Sequence, residues 1–536
     1  MKSTMSNAGR ERTFSRVLVT GATGFIGRQV CLRLARDGVK VVAWVRSPDA
    51  ARASLGDAPE LLATSADDAE LEAVLRRCDA VIHLAGAGIV DKRWSAARKA
   101  ELRSSRVDTT KRIADALVRS GAKAALVSAS AIGWYGARGD EVLDEDSSAG
   151  VDFLGGLCRD WEQGARDASA HGVRVAIVRI GVVLGLGGGA LEKLLPPFRF
   201  GLGGRLGAGT QWMSWIHAED LVELLVTAAR DERYEGVFNA VAPVPVTNRE
   251  FTRELGRALR RPTPFPVPAI ALRIALGEAS VVLLTGQRVV PRRAQALGFT
   301  FRFPSLDAAL GQLVGPTHSV RLGPAREVPR CPYLESSKPR YLLEQRTSLP
   351  APLDEVFDFF SRAENLGAIT PGSMRFRMLG ERGQPMREGR EIDYAIRVGP
   401  VPMRWRSRIE AWRPGEGFVD SQLRGPYACW WHEHRFTRGP GDTTVMVDRV
   451  WYAPPLGPLG ALAQRALIAS QLEGIFRYRE HAVALRFGRA APADSRADSR
   501  AGSPAGSPTG SPTGSPGPEA APVSAQENGP RALTRS

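Results

Sequence analysis

Between Arg16 and Val45 the chain runs strand, glycine loop, helix and strand, and this unit constrains the fold more than any other feature. Val17-Leu18-Val19-Thr20 leads straight into Gly21-Ala22-Thr23-Gly24-Phe25-Ile26-Gly27. A helical pattern to Asp37, a stop at Gly38 and a second β-branched run to Val45 follow. Each glycine has a physical task. Gly21 permits the tight turn, Gly24 leaves room for backbone to approach a pyrophosphate, and Gly27 lets the helix pack on the strand. The helix opens with unpaired N–H groups and the positive end of its dipole, which favour phosphate. Gly21, Thr23, Gly24, Phe25, Ile26 and Gly27 are therefore the expected contacts to a dinucleotide.

The same grammar continues downstream, where AVIHLAG, AALVSAS and RVAIVRIG alternate with helical patterns. Apolar runs of this kind belong to strands buried on both faces of a parallel sheet. The expectation is an α/β, Rossmann-like, doubly wound parallel sheet over residues 15–255, closed by a smaller part over 256–314. Residues 315–339, rich in Gly, Pro, Arg and Ser without periodicity, read as a linker. From 340 to 488 the pattern becomes a strand, a short amphipathic helix (LDEVFDFF), alternating strands and one long helix over about Leu459 to Leu485, which is an α+β domain. Residues 1–14 and the repetitive Ser/Gly/Pro-rich tail 489–536 have too little apolar surface to fold and are expected to be disordered.

A chain of 536 residues has room for two or three domains. Its net charge of +15 raises the question of nucleic acid, but the basic residues are spread along the chain and mixed with acids, as in Arg230-Asp231-Glu232-Arg233. Arg404-Trp405-Arg406-Ser407-Arg408 interleaves cations and aromatics, and period-two alternation explains it as the polar face of a strand. No nucleic-acid partner is expected. Five scattered cysteines without a CxxC pair fit neither a disulfide framework nor a zinc site, and no metal is expected. The polar N-terminus lacks the apolar core of a signal peptide. The most apolar stretch, Pro266 to Leu284, is interrupted by Pro268, Arg273 and Glu278. A cytoplasmic protein without stable membrane insertion is expected.

The spacing GxxGxxG resembles the extended, epimerase-like form of the short-chain dehydrogenase/reductase superfamily. There the end of the second strand selects the cofactor: an acid binds the ribose hydroxyls, a basic residue the 2′-phosphate. Here Arg46-Ser47 follows Val45, with no acid until Asp49. Arg matches phosphate bidentately, so NADP(H) is favoured over NAD(H). The resemblance also assigns Leu84, Ala85 and Gly86 to the lining of the cofactor's diphosphate and ribose. Asp67-Asp68 reads either as an adenine contact or as a helix N-cap. HLAGAGIVDKRW, SASAIGWYGARGDEVLDED and WMSWIHAEDLV are similar to the atypical epimerase-like branch. GEASVVLLTGQRVVPRRAQALGFTFRFPSL resembles the small domain of unknown function that closes its members.

Enzymes of this superfamily typically use a Tyr-x-x-x-Lys pair with a preceding Ser. Ser130 fits the Ser. Aligning Glu162 with the usual helix acid places Leu154 and Cys158 where Tyr and Lys should stand. Two explanations stay open. Tyr135 supplies the acid, with Arg159 or Arg106 taking the electrostatic role of Lys; or the site binds cofactor and ligand without turnover. Tyr135 also fits a structural Tyr-Gly, Cys158 a buried helix cysteine, and His217 a packed residue ahead of a helix. The reading is an NADP(H)-binding oxidoreductase or epimerase-like protein acting on an unknown small hydroxyl- or carbonyl-bearing substrate. The alternative is a non-catalytic, NADP(H)-responsive ligand-binding or regulatory protein.

The second domain opens with a strand and then Pro350-Ala351-Pro352-Leu353-Asp354-Glu355-Val356-Phe357, which resembles the START-like, helix-grip superfamily (SRPBCC) that includes polyketide cyclases and lipid carriers. The resemblance implies an apolar ligand in a cavity between a curved sheet and the last helix. Trp405, Trp412, Phe418, Trp430, Trp431, Phe436 and Trp451 are candidates for its aromatic walls, although most of them also fit an ordinary core. His432 and His434 flank Glu433 and have no partners visible in the sequence.

Overall fold

The computed structural model describes residues 15–489 apart from residues 57, 317–318, 382 and 399–400. The expectations for residues 1–14 and for the tail beyond Arg489 lie outside the described residues. Among those described, the first sheet has strands β1 (Arg16–Thr20), β2 (Lys40–Val45), β3 (Glu60–Ala63), β4 (Ala80–His83), β5 (Ala125–Ala131), β6 (Val175–Ile180) and β7 (Gly236–Ala240). Their order is β7-β6-β5-β4-β1-β2-β3, and every pairing is parallel. The order reverses between β1 and β4, the switch point at which open α/β sheets bind ligands.

Apolar runs on these strands follow from burial of both faces. Val17 and Val19 pack with residues of α1 (Phe25–Arg36) and α4 (Ala218–Arg230), while Leu18 faces a second core built with α2 (Ala96–Ser120) and α3 (Phe153–Ala170). One charged pair is buried with them. Arg179 of β6 donates to both carboxylate oxygens of Glu162 on α3, at 2.8 and 3.0 Å, with both side chains almost fully enclosed. Such a pair contributes little net stability but fixes how α3 seats on the sheet, because either charge alone would be strongly disfavoured there.

The second sheet is antiparallel: β8 (Val320–Pro324), β9 (Tyr341–Leu349), β10 (Arg377–Leu379), β11 (Glu391–Val398), β12 (Val401–Arg413), β13 (Gly417–Arg424), β14 (Cys429–Arg438) and β15 (Thr444–Ala453). Among the described residues its order is β8-β9-β15-β14-β13-β12-β11-β10. The helix α5 (Leu353–Phe360) follows β9, and α6 (Ala469–Phe487) lies in the sheet's grip, with Gln345 Nε2 donating to the Phe476 carbonyl at 3.2 Å. Two differences from the sequence reading appear here. The stretch read as a linker supplies β8, paired with β9 from Val320↔Gln345 to Pro324↔Tyr341; its short alternation is masked by neighbouring Gly and Pro. The last helix is not one run. It begins as Gly457–Ala463, widens into a π turn at Gln464–Ile468 where Gln464 donates to the Tyr452 hydroxyl at 2.6 Å, and continues as α6. On β12, Trp405 and Ser407 are buried while Arg404 and Arg406 are exposed, as period-two alternation requires.

The α6 helix is shared between the two sheets' territories. Phe476 and Val483 pack in hydrophobic clusters under the second sheet, whereas Tyr478 accepts a hydrogen bond from Arg28 of α1 at 3.1 Å. The Tyr478 ring closes over Gly187, where a Cβ would come within 2.3 Å of it. Leu186, next to that glycine, packs against buried residues of both parts. Replacing Tyr478 by Ala removes this buried ring and the Arg28 acceptor together. The expected cost is about 3–5 kcal/mol in urea unfolding followed by tryptophan fluorescence, with both parts of the chain affected.

Candidate functional site

The loop after β1 is built by close approach. Gly21 turns with φ +64°, and a Cβ there would lie 2.8 Å from the Leu84 carbonyl oxygen at the end of β4. A Cβ on Gly27 would lie 2.1 Å from the Gly21 oxygen, so the first turn of α1 sits directly under the loop. Gly24 is the N-cap of α1 and offers no side chain to its N–H groups. Neighbouring helices instead begin at Ser47, Asp67, Ser95, Asp152 and Thr247, each capped by its own side chain. The donors of α1 are thus left for a ligand, and its first turn carries no acidic residue that would repel phosphate.

Thr20 and His83 hold the opposite wall. Thr20 Oγ1 accepts from the backbone N–H of Leu84 and of Ala85, both at 3.1 Å, and lies 2.7 Å from His83 Nδ1. With two N–H groups pointing at that oxygen, its own proton goes to Nδ1. The ring proton is therefore on Nε2, which reaches Thr110 Oγ1 at 2.9 Å. His83 is buried, which pushes its pKa down to about 4 and keeps it neutral. The expected lining residues Leu84, Ala85 and Gly86 are brought to the glycine loop in this way.

Thr23 is exposed at the loop, and Phe25 lays its ring against the turn at Gly185, Gly188 and Gly189. Arg46 is exposed at the end of β2, and Ser47 caps the helix Pro48–Leu55. Asp67 caps the helix Asp68–Leu75 by accepting from Glu70 N–H at 2.8 Å, which is the N-cap alternative.

Ser130 and Tyr135 meet in one buried network rather than at an open surface. Ser130 donates to Glu162 Oε1 at 2.7 Å. The Tyr135 hydroxyl donates to Asn239 Oδ1 at 2.7 Å and accepts from Arg179 at 3.0 Å, and burial pushes its pKa up to about 12. Cys158 is enclosed on α3, 3.7 Å from the Ala131 carbonyl, and burial raises its thiol to about 12, so it has no thiolate at neutral pH. Of the two cations considered for the missing Lys, Arg159 donates to the Gly150 carbonyl at 3.3 Å. Arg106 instead donates to the Ala87 carbonyl at 2.8 Å, lies over the Trp161 ring and abuts Gly86, which sets it beside the cradle. His217 is the N-cap of α4, accepts from Glu219 N–H and is buried. The sequence reading missed Arg179 as the group that ties Ser130 and Tyr135 together. A lone Arg in the apolar run of β6 was its only local signal.

In the second part, a cavity of about 400 Å³ opens between the curved sheet and α6, with Phe360, Trp405, Phe418, Tyr427 and Trp430 among its walls. Trp412 and Phe436 pack in the adjoining core instead, and Trp431 and Trp451 pack with Leu334 and Cys429. Strand register gives His432 and His434 the partners that the sequence did not show. Asp420 pairs across from His432, and Asp448 pairs across from His434.

Buried, neutral His83 makes this wall sensitive to acid. Its folded pKa of about 4 lies below the ordinary 6.5, so unfolded chains take up the proton first as pH falls. Its contribution is complete above pH 6.5 and is lost progressively toward pH 4, by roughly 3 kcal/mol. The stability gap between wild type and His83→Asn should therefore narrow over that interval when urea unfolding is measured at stepped pH.

Among the described residues no helix is long and apolar enough to cross a membrane. A model of the NAD dependent epimerase/dehydratase family matches residues 17–240, and a domain of unknown function, DUF1731, matches 267–313. A model described as polyketide cyclase / dehydrase and lipid transport matches 349–474. The chloroplastic epimerase family protein SDR39U1 homolog of Arabidopsis thaliana is 43% identical, over 55% of this chain and 85% of its own. Epimerase family protein Mb2239 of Mycobacterium bovis is 42% identical over 55% of this chain and 96% of its own. The crystal structure of human epimerase family protein SDR39U1 with NADPH covers 56% of this chain and 99% of that one, at 38% identity and a TM-score of 0.51. With its cradle, its closing domain and these relatives in agreement, the chain belongs to the NAD dependent epimerase/dehydratase family, in the branch of the SDR39U1 proteins, and carries a polyketide cyclase-type domain after it.

Proposed function

We propose that the first part of the chain binds NADP(H) and acts as an oxidoreductase or epimerase-like unit on a small hydroxyl- or carbonyl-bearing substrate, with an apolar ligand held in the second domain, in the cytoplasm. The observation that carries this reading is the cradle at the switch point. An uncapped α1, a glycine loop too close to Leu84 for any side chain, and Arg46 at the end of β2 together fit a dinucleotide with a 2′-phosphate. The human relative crystallised with NADPH supports it. Gly21, Thr23, Gly24, Phe25, Ile26 and Gly27 would hold the pyrophosphate, Leu84, Ala85 and Gly86 the adjoining ribose, and Arg46 the 2′-phosphate. The cofactor, when bound, supplies hydride chemistry at the nicotinamide.

Ser130 is the residue we assign to the substrate oxygen, because its hydroxyl can rotate from Glu162 while that carboxylate keeps Arg179 and Arg166. Tyr135 would give up Asn239 to do the same, so in this reading it positions the network. Arg106 holds charge beside the cradle and cannot carry a proton at neutral pH.

A second reading, a non-catalytic NADP(H)-responsive ligand-binding protein, is favoured by one observation. The α6 helix touches α1 through Tyr478 and lines the second cavity through Phe476 and Arg479. Cofactor and ligand would then bias one shared element.

Titration of NADPH and NADH by nicotinamide fluorescence tests the cofactor assignment. Wild type should prefer NADPH. Arg46→Glu should weaken NADPH by about 10–100-fold, the worth of a charge-assisted hydrogen bond, and leave NADH little changed. Failure to bind either cofactor would reject both readings. Given binding, NADPH oxidation with a panel of carbonyl compounds separates them: turnover lost in Ser130→Ala and largely kept in Tyr135→Phe supports the first, and full binding with no turnover supports the second.

A further inference from the structure

The floor of the second cavity is a built polar site. On the inner face of the sheet, Asp420 of β13, His432 and His434 of β14 and Asp448 of β15 form one patch. His434 Nδ1 lies 2.7 Å from Asp448 Oδ1 and its Nε2 lies 3.3 Å from Asp420 Oδ1. His432 Nε2 lies 3.2 Å from the same Asp448 oxygen, and its other nitrogen is 3.7 Å from Asp420. The two imidazoles are 3.8 Å apart. From α6, Arg479 Nη1 approaches both Asp448 and His432 at 3.5 Å. Ser407, bonded by the Trp405 indole at 3.0 Å, donates weakly to Asp420 at 3.4 Å, and the Tyr394 hydroxyl stands 3.3 Å from Ser407. Asp448 is wholly enclosed behind the histidines, while Asp420, His432, His434, Ser407 and Arg479 line the cavity.

Opposite charges face one another in this floor. Burial opposes ionisation of Asp420 and Asp448, but the histidines and Arg479 outweigh it and hold both carboxyls below their usual range. Burial likewise opposes the charged form of His434, and the flanking carboxylates of Asp448 and Asp420 raise its pKa regardless. Burial, and then the charge of His434, push His432 down to about 4. Two carboxylates therefore face Arg479 and His434, whose charged form they favour, and His432 stays neutral. A ligand carboxylate or ammonium would add an uncompensated charge in an apolar enclosure, at high cost. The Asp420-His432-His434 atoms lie within 4.8 Å of one another, as metal ligands would, but Arg479 already stands 3.5 Å from His432 Nε2 and would repel a divalent cation there.

We propose that this floor is the recognition site for a hydroxyl group on an otherwise apolar ligand, with His432 Nδ1 as the acceptor of its proton. The single N–H of neutral His432 is held at Nε2 by the Asp448 carboxylate, which leaves Nδ1 as an acceptor for a ligand hydroxyl. The apolar remainder lies against the aromatic walls. The proposal rests on the reading of the second domain as an apolar-ligand binder.

The test uses the full chain and the neutral dye N-phenylnaphthylamine, whose fluorescence rises in apolar cavities. Displacement is compared among dodecane, dodecanol, a dodecanone, dodecanoate and dodecylammonium. Dodecanol should displace the dye at about tenfold lower concentration than the hydrocarbon, the ketone or either ion, the worth of one hydrogen bond. In His432→Phe that advantage over dodecane should vanish while dodecane itself still competes; His432→Gln, which keeps a donor and an acceptor, should retain part of it. A dye that does not bind wild type at all removes the apolar-ligand reading, and the proposal with it. Dye binding with dodecanoate as the best competitor overturns the hydroxyl assignment alone. So does stoichiometric Zn²⁺ binding by calorimetry that is lost in His432→Phe, which would make the floor a metal site.

Discussion

The first half of the molecule depends on two loops passing within contact distance at the C-terminal edge of the sheet. The turn at Gly21 presses on the Leu84 carbonyl, and only a residue without Cβ can stand there. Thr20 sets the other side of that contact, drawing Leu84 and Ala85 in through their N–H groups while its own proton is held by His83. Because β1 and β4 are neighbours at the point where strand order reverses, this one contact defines the gap between the two halves of the sheet. The direction of α1, its uncapped N-terminus and the placement of Phe25 on the Gly185–Gly189 turn follow from it.

What could be read from sequence divides along a physical line. The glycine loop, the doubly buried strands, LDEVFDFF and the alternation around Trp405 are local patterns whose period reports the environment directly. Asp67 as a helix cap and Cys158 as an enclosed helix residue were legible for the same reason. Features that depend on register between distant strands were not. Glu162 meets Arg179, and Asp420, His432 and Asp448 meet one another, only because the sheets align them. The strand Val320–Pro324 was hidden differently: its pairing edge lies in a stretch whose Gly, Pro and Arg content imitates a linker.

Both parts of the chain bury charge, and they do so to different ends. Glu162 and Arg179 meet through two hydrogen bonds, and Ser130 and Tyr135 each bond to one member of the pair. In the second cavity one carboxylate, Asp448, is shared by two histidines and an arginine, and its other oxygen has no hydrogen-bond partner. A shared acceptor in an enclosed site permits rearrangement of protons among its neighbours that a bidentate pair does not.

This contrast bears on where proton chemistry can take place. Around the dinucleotide cradle the available cations are arginines, which stabilise charge and orient groups but do not release protons at neutral pH. The phenol there has its pKa raised to about 12 and the thiol likewise. A pair of histidines with pKa values driven in opposite directions sits instead on the floor of the second cavity. The α6 helix touches both places, through Tyr478 on one side and Arg479 on the other. A fused domain of this kind therefore adds a cluster of buried histidines and carboxylates, and it does so on an element that also contacts α1.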